Sequence, residues 1–195
     1  NARKNCVELL TEFGVESARR EGVFCAVKAK EGREIRARYV VNSAGLYADA
    51  VSKAFGGEEF TIKPRKGEYY LLDKTTKAKP NRVVFPVPTA VSKGMLIVPT
   101  VEGTVLIGPT ATTIEDKEDF STTRQELEGI LRSAKTMIPT LSESDAITSF
   151  AGLRPACGDD FYIDLSVKVP NLVQVAAIQS PGLTASPAIG EYVKD

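Results

Sequence analysis

The sequence predicts an α+β fold, and three observations carry the prediction. Four strand signals crowd into residues 61–109 with no helical pattern among them, which marks an antiparallel sheet. A run of short, polar-turned strands precedes them. Two further passages, one toward each end, go from strand to small-residue loop to helix, as in an α/β layer. The 195 residues are 43% hydrophobic, enough to bury a core.

The first forty residues read as a β-meander. Val7, Leu9 and Thr11 alternate with Glu8, Leu10 and Glu12, residues 22–27 (GVFCAV) form a second β-rich run, and Glu31-Gly32 turns into a third at 34–39. Residues 39–45 then pass from β-branched to small side chains, and 46–55 follow at helical spacing until Gly56-Gly57 stops them. Strands are expected at 67–73, 83–86, 95–99 and 104–108, the last two joined as a hairpin across Glu102-Gly103. A polar loop over 112–121 leads to a helix at 123–137, with Thr122 and Gln125 placed for a capping box and Pro139 beyond its end. Strands return at 146–151, 161–164 and 172–176. A last helix takes Ser186 as N-cap and Pro187 as its first residue. Asn1 to Asn5 read as the tail of a helix whose start is missing, and the final helix runs off the end, so both ends look cut.

Composition excludes several chemistries. The chain has no histidine, so it cannot by itself build a Ser-His-Asp or Cys-His unit or a His-ligated metal site. With 25 Lys+Arg against 25 Asp+Glu, interspersed, it lacks the basic footprint of a nucleic-acid or anionic-membrane binder. Its apolar runs are far shorter than a bilayer requires, and no apolar h-region follows Asn1. Three cysteines, Cys6, Cys25 and Cys157, with no Cys-x-x-Cys spacing, fit reduced thiols in the cytoplasm better than a disulfide framework or a metal site.

Three segments carry chemistry. Residues 40–49 (VVNSAGLYAD) end a strand in Ser-Ala-Gly, which allows close backbone approach to a ligand over the sheet edge, although an ordinary tight turn has the same look. Residues 176–187 repeat the pattern, and free amides at a helix N-terminus favour negative charge there. In residues 149–155 (SFAGLRP), Arg154 sits among small and apolar residues, where it needs an anion: a ligand's carboxylate or phosphate, or a structural partner among Asp159, Asp160 and Asp164.

Together these residues resemble the FAD-dependent oxidoreductases of the D-amino-acid oxidase and glycine oxidase superfamily, most closely its glycerol-3-phosphate dehydrogenase branch. The matching stretches, in family order, are 39–49 (YVVNSAGLYAD), 62–72 (IKPRKGEYYLL), 85–88 (FPVP), 106–111 (LIGPTA), 150–155 (FAGLRP) and 180–189 (SPGLTASPAI). The resemblance implies an antiparallel-sheet substrate-binding domain over residues 61–150, flanked by a partial FAD/NAD(P)-binding α/β domain at 1–60 and 151–195. It implies that Ser43, Ala44 and Gly45 lie at the FAD, that Gly182, Leu183 and Thr184 offer amides to the isoalloxazine, and that the antiparallel strands cover the flavin. It also implies that Arg154 contacts the substrate's anionic group, with Tyr69 and Arg65 near the substrate cavity.

The family's Gly-x-Gly-x-x-Gly fingerprint, which cradles the FAD pyrophosphate, occurs nowhere in the chain. The expectation is therefore a fragment, inactive alone, of an enzyme that oxidises glycerol 3-phosphate by hydride transfer to flavin. L-2-Hydroxyglutarate, another 2-hydroxy acid or an amino acid are the alternative substrates, and a stand-alone binding or assembly module is the non-enzymatic alternative. No residue is identifiable as the proton acceptor, and the electron acceptor is left open. A cytoplasmic location is expected, or a membrane-peripheral one for the full-length enzyme.

Overall fold

The computed structural model describes residues 2–87 and 94–195, and the chain forms two compact units, Asn1–Ile62 with Pro155–Asp195, and Lys63–Arg154. No helix among the described residues is long and apolar enough to cross a membrane.

The first unit opens with the meander β1 (Val15–Glu21), β2 (Phe24–Ala29) and β3 (Glu34–Ala37), antiparallel in that order. Its first strand is not the expected one. Residues 7–11 form no strand, and Val7, Leu9 and Leu10 are exposed. Their alternation finds no partner among the described strands. Strand β1 (VESARRE) shows no apolar alternation, so propensity hides it, and pairing decides. Its charges find partners across the meander: Arg19 meets Glu34 at 2.8 Å, and Glu21 meets Arg36 at 3.0 Å. Gly22, at φ 63°, opens the two-residue turn that sets the β1/β2 register.

Strand β4 (Val40–Asn42) leads through a 3₁₀ turn (Gly45–Tyr47) into α1 (Ala48–Ala54). Gly56 ends the helix at φ 71°, a left-handed conformation that costs glycine little. With β10 (Tyr162–Leu165) and β11 (Leu172–Ala176), β4 forms a second sheet in the order β10-β11-β4. Strand β11 runs antiparallel to β10 and parallel to β4, the α/β character that the small-residue turns suggest. Ala48, Ile62, Ala176 and Ala177 form the core, with Phe60 packed edge-on against Tyr162 at 5.1 Å.

The closing helix α3 (Gly182–Lys194) starts four residues before the expected Ser186 cap, so Pro187 lies inside it. A proline there removes the N–H that would bond the Leu183 carbonyl. The Ser186 hydroxyl donates to that carbonyl at 2.9 Å, which lets the helix continue.

In the second unit, β5 (Lys63–Leu72), β6 (Leu96–Pro99), β7 (Val105–Gly108) and β8 (Thr112–Thr113) run in the order β6-β7-β5-β8, and β9 (Ala146–Ala156) also pairs with β5. The β6/β7 hairpin turns at Gly103, φ 94°. The strand expected at 83–86 reduces to one bridge between Val84 and Ile97; Pro86 has no N–H to extend a ladder, and Pro88, the last residue of FPVP, lies outside the described residues.

Helix α2 (Arg124–Met137) presents Leu127, Ile130, Leu131 and Ala134 at i, i+3, i+4 and i+7 to Tyr70, Leu72, Ile97 and Ile107 of the sheet. Its N-cap is Thr123 rather than Thr122: the Thr123 hydroxyl accepts from the Glu126 amide at 3.3 Å. The N–H of Thr123 donates at 2.7 Å to Glu68 of β5, a tertiary cap that local spacing cannot reveal.

Candidate functional site

Strand β5 explains the placement of the expected substrate residues. Lys66, Glu68, Tyr70 and Leu72 are buried on one face, while Arg65, Tyr69 and Leu71 on the other are only partly covered. Arg65 and Tyr69 therefore share the open face, with Gly67 between them. The ladder holds this register through Tyr70 opposite Ile107 and Arg65 opposite Thr113.

Arg154, on β9, reaches over that face. Its Nη2 donates to the Thr110 carbonyl at 3.0 Å and its Nε to the Arg65 carbonyl at 3.4 Å. Both acceptors are neutral, and no carboxylate among the described residues pairs with the guanidinium. The structural ion pair to Asp159, Asp160 or Asp164 does not form. Burial of Arg154, followed by the neighbouring Arg65 charge, lowers its pKa from the usual arginine value, with Tyr69 opposing weakly. A half-buried cation held only by carbonyls has donors left for an anion.

The surroundings of Arg154 admit little change. A Cβ on Gly67 would stand 2.8 Å from Pro109 Cβ, 3.2 Å from the Thr110 carbonyl and 3.4 Å from Arg154 Nη2. Gly108, at φ 143°, lets β7 approach Tyr69, since a Cβ there would fall 2.6 Å from the ring. The Tyr69 ring stacks on Phe150 at 5.2 Å, nearly parallel, and forms an aromatic wall. Burial raises the Tyr69 pKa, although the Arg154 charge works against it, so the phenol stays protonated as a donor.

The other set of expected residues belongs to the first unit. Ser43 and Gly45 line a cavity of about 420 Å³ with Val41, Val175, Ile178, Ser186 and Ile189. This volume falls within the range of small-molecule and cofactor sites, and the lining is mostly apolar. The Ala44 amide is taken by the Asn42 side chain at 3.3 Å, which fixes the Ser-Ala-Gly turn. At the start of α3, the Gly182 amide donates to the Gln179 carbonyl at 2.6 Å. Leu183 and Thr184 follow in the first turn, where amides have no intrahelical acceptor. A Cβ on Gly182 would lie 2.5 Å from Ile178, so the helix start requires glycine.

Sequence reasoning missed the polar network that supports these loops. The Asn42 amide donates to the Ala48 carbonyl and to Gln174 Oε1, both at 2.8 Å, and Gln174 donates to the Ser52 hydroxyl at 2.8 Å and Glu58 at 3.2 Å. Asp49, inside YVVNSAGLYAD, accepts the Ile62 amide at 2.9 Å. The available signal was Asn42 and Gln174, polar residues within otherwise apolar strands, which burial obliges to find partners.

Comparisons with known proteins identify the family. The FAD dependent oxidoreductase family matches residues 1–195. The chain is similar to the glycerol 3-phosphate dehydrogenase of Caloramator mitchellensis, 45% identical over 159 residues, covering 81% of this chain and 33% of that protein. It is also similar to the glycerol 3-phosphate oxidase of Mycoplasma pneumoniae, 31% identical over 194 residues, covering 96% of this chain and 50% of that protein. A structure of L-α-glycerophosphate oxidase from Mycoplasma pneumoniae with FAD bound superposes with a TM-score of 0.91 at 30% identity, over 99% of this chain and 52% of that one. Glycine oxidase from Bacillus cereus shares the fold, with a TM-score of 0.83 at 21% identity over 100% of this chain and 52% of that one. The chain thus spans a third to a half of the length of the curated relatives it matches. The small-residue turns, the antiparallel sheet and the half-buried arginine sit in a sequence matched from end to end, and the chain belongs to the FAD dependent oxidoreductase family.

Proposed function

We propose that this chain forms part of an enzyme that oxidises glycerol 3-phosphate, and that it contributes the anion site for the substrate and a portion of the FAD site. The observation that carries the reading is Arg154: half-buried, held by two neutral carbonyls and free of any carboxylate partner among the described residues. Relatives named glycerol 3-phosphate dehydrogenase and oxidase, at 45% and 31% identity, supply the substrate. L-2-Hydroxyglutarate dehydrogenase of Arabidopsis thaliana, 29% identical over 187 residues, is the relative behind the 2-hydroxy-acid alternative.

The first unit has features that fit a flavin. Ser43 and Gly45 put little bulk at the end of β4, the cavity beside them is lined mostly by apolar residues, and the first-turn amides of Leu183 and Thr184 suit an electron-rich ring edge. No residue set among the described residues resembles a pyrophosphate cradle. When bound, FAD supplies the two-electron acceptor for the reaction. The chain's own residues bind and orient: Arg154 holds the anionic end of the substrate by charge-assisted hydrogen bonds, the Tyr69 phenol donates beside it, and the Tyr69–Phe150 pair excludes water from one side.

The test is turnover of the FAD-loaded enzyme with glycerol 3-phosphate and with 2-hydroxyglutarate. The reading expects the phosphate ester to be oxidised with the larger kcat/KM, and preference for 2-hydroxyglutarate would overturn it. Arg154→Ala should remove about 1.5–3 kcal/mol of binding, roughly a 10- to 150-fold rise in KM. An unchanged KM with lowered stability would make Arg154 a structural residue.

A further inference from the structure

We propose that Arg65 is the second cation of the substrate site and sets its preference for a doubly charged phosphate monoester over singly charged anions. The inference rests on the glycerol 3-phosphate reading and deepens it by assigning a residue to specificity.

The geometry comes from β5 and β9. Arg65, Gly67 and Tyr69 occupy the same face of β5, and strand alternation keeps Lys66 and Glu68 on the opposite, buried face. Arg154 lies across that open face: its Nε is 3.4 Å from the Arg65 carbonyl, and its Nη2 is 3.4 Å from where a Gly67 Cβ would be. The Arg65 charge acts directly on Arg154 from the same face of the strand, and neither arginine pairs with a carboxylate among the described residues. Partly covered like charges without a counter-ion repel each other, so the fold keeps them together at a cost that a bound anion removes.

Charge decides which anion relieves the repulsion best. A phosphate monoester, with a second pKa of about 6, carries close to two negative charges at pH 7.5. A carboxylate or a phosphodiester carries one. One arginine meets a single charge with a bidentate fork; a second cation gains substantially only when a second charge faces it. Lys66, the next cation along the strand, is occupied: its Nζ donates to Asp119 at 2.9 Å and to the Ser121 carbonyl at 3.0 Å on the far face of the strand.

The experiment compares wild type, Arg65→Gln and Arg65→Lys in the FAD-loaded enzyme. Dissociation constants are measured by calorimetry for glycerol 3-phosphate, inorganic phosphate, glycerate and a glycerophosphodiester, and kcat and KM are followed in parallel. Arg65→Gln should weaken glycerol 3-phosphate and phosphate about tenfold or more while changing glycerate and the diester less than about twofold, and Arg65→Lys should recover most of the loss. Wild-type affinity for glycerol 3-phosphate should fall as pH drops through about 6, and Arg65→Gln should flatten that dependence. Equal weakening of all four ligands, or no change in any, overturns the role of Arg65. If wild type oxidises 2-hydroxyglutarate and not glycerol 3-phosphate, the functional reading itself fails, and the wild-type substrate profile reports that without reference to the variants.

Discussion

Gly67 shows how a single residue is fixed by what crosses it. Its neighbours on β5 face two environments, and the nearest atoms over its own position are those of Pro109, the Thr110 carbonyl and Arg154. Gly67→Ala would push a methyl group to 2.8 Å from Pro109 Cβ, in a strand that cannot retreat because its other face is packed against α2. The expected result is a loss of about 1–3 kcal/mol of stability by overpacking, together with a higher KM for glycerol 3-phosphate as Arg154 is displaced. Chemical denaturation and steady-state kinetics on the one variant check both. Arg154 and Arg65 belong to this scale too, since each is tested by its own substitution.

At the scale of elements, α2 depends on β5 for its N-terminus. Glu68 is fully buried, and its carboxylate takes the Thr123 N–H at 2.7 Å and the Thr123 hydroxyl at 3.3 Å, with Lys66 Nζ at 3.9 Å. Removing it by Glu68→Ala leaves the Thr123 amide without its acceptor, while Lys66 keeps Asp119 and the Ser121 carbonyl, so a loss of about 2–3 kcal/mol is expected in urea unfolding. Thr123→Ala removes the side-chain cap to Glu126 and the hydroxyl's long bond to Glu68 but keeps the amide bond, and should cost about 1 kcal/mol. If the two substitutions prove equal, the tertiary cap is no stronger than the local one. Asp119 completes the clamp: hydrogen bonds from the Ser121 hydroxyl, then from Lys66, hold its pKa at about 2, so it stays a carboxylate through the ordinary acidic range.

For the molecule as a whole, acid stability is governed in part by Glu58. Burial, the largest single influence, raises its pKa, but hydrogen bonds from Ser166, Gln174 and the Lys168 amide together outweigh it and bring the pKa from 4.5 to about 2. A folded-state pKa below the unfolded one means that the carboxylate stabilises the fold above pH 4.5, and that this contribution is lost as pH falls from 4.5 toward 2. Glu58→Gln should therefore unfold more easily than wild type at pH 7, with the difference shrinking through that window. Thermal melts at pH 7, 4 and 2.5 read the trend; a constant difference at all three would show that the charge of Glu58 has no part in stability. The same network ties β4, α1 and β11 together through Asn42, Ser52 and Gln174, so the small-residue loop at Ser43 and Gly45 rests on a support that titrates.

What the sequence determined by itself was whatever local pattern encodes. The α+β class, the β6/β7 hairpin at Gly103, the helix stop at Gly56, strand β11 and the two small-residue turns were legible because turn chemistry and alternation act between near neighbours. The resemblance and the family membership followed from the same stretches. Tertiary structure decided where local pattern was silent or misleading. Strand β1 exists because β2 offers it an edge, residues 7–11 pair with no described strand in spite of their alternation, and α2 starts at Thr123 because Glu68 reaches its amide from another strand. Arg154 could be read from sequence as a cation in need of an anion, but the absence of a carboxylate partner among the described residues, and its place beside Arg65, depend on a pairing between β5 and β9 separated by about ninety residues. Long-range pairing leaves no local trace, since each strand's own residues satisfy the same alternation whichever neighbour they meet.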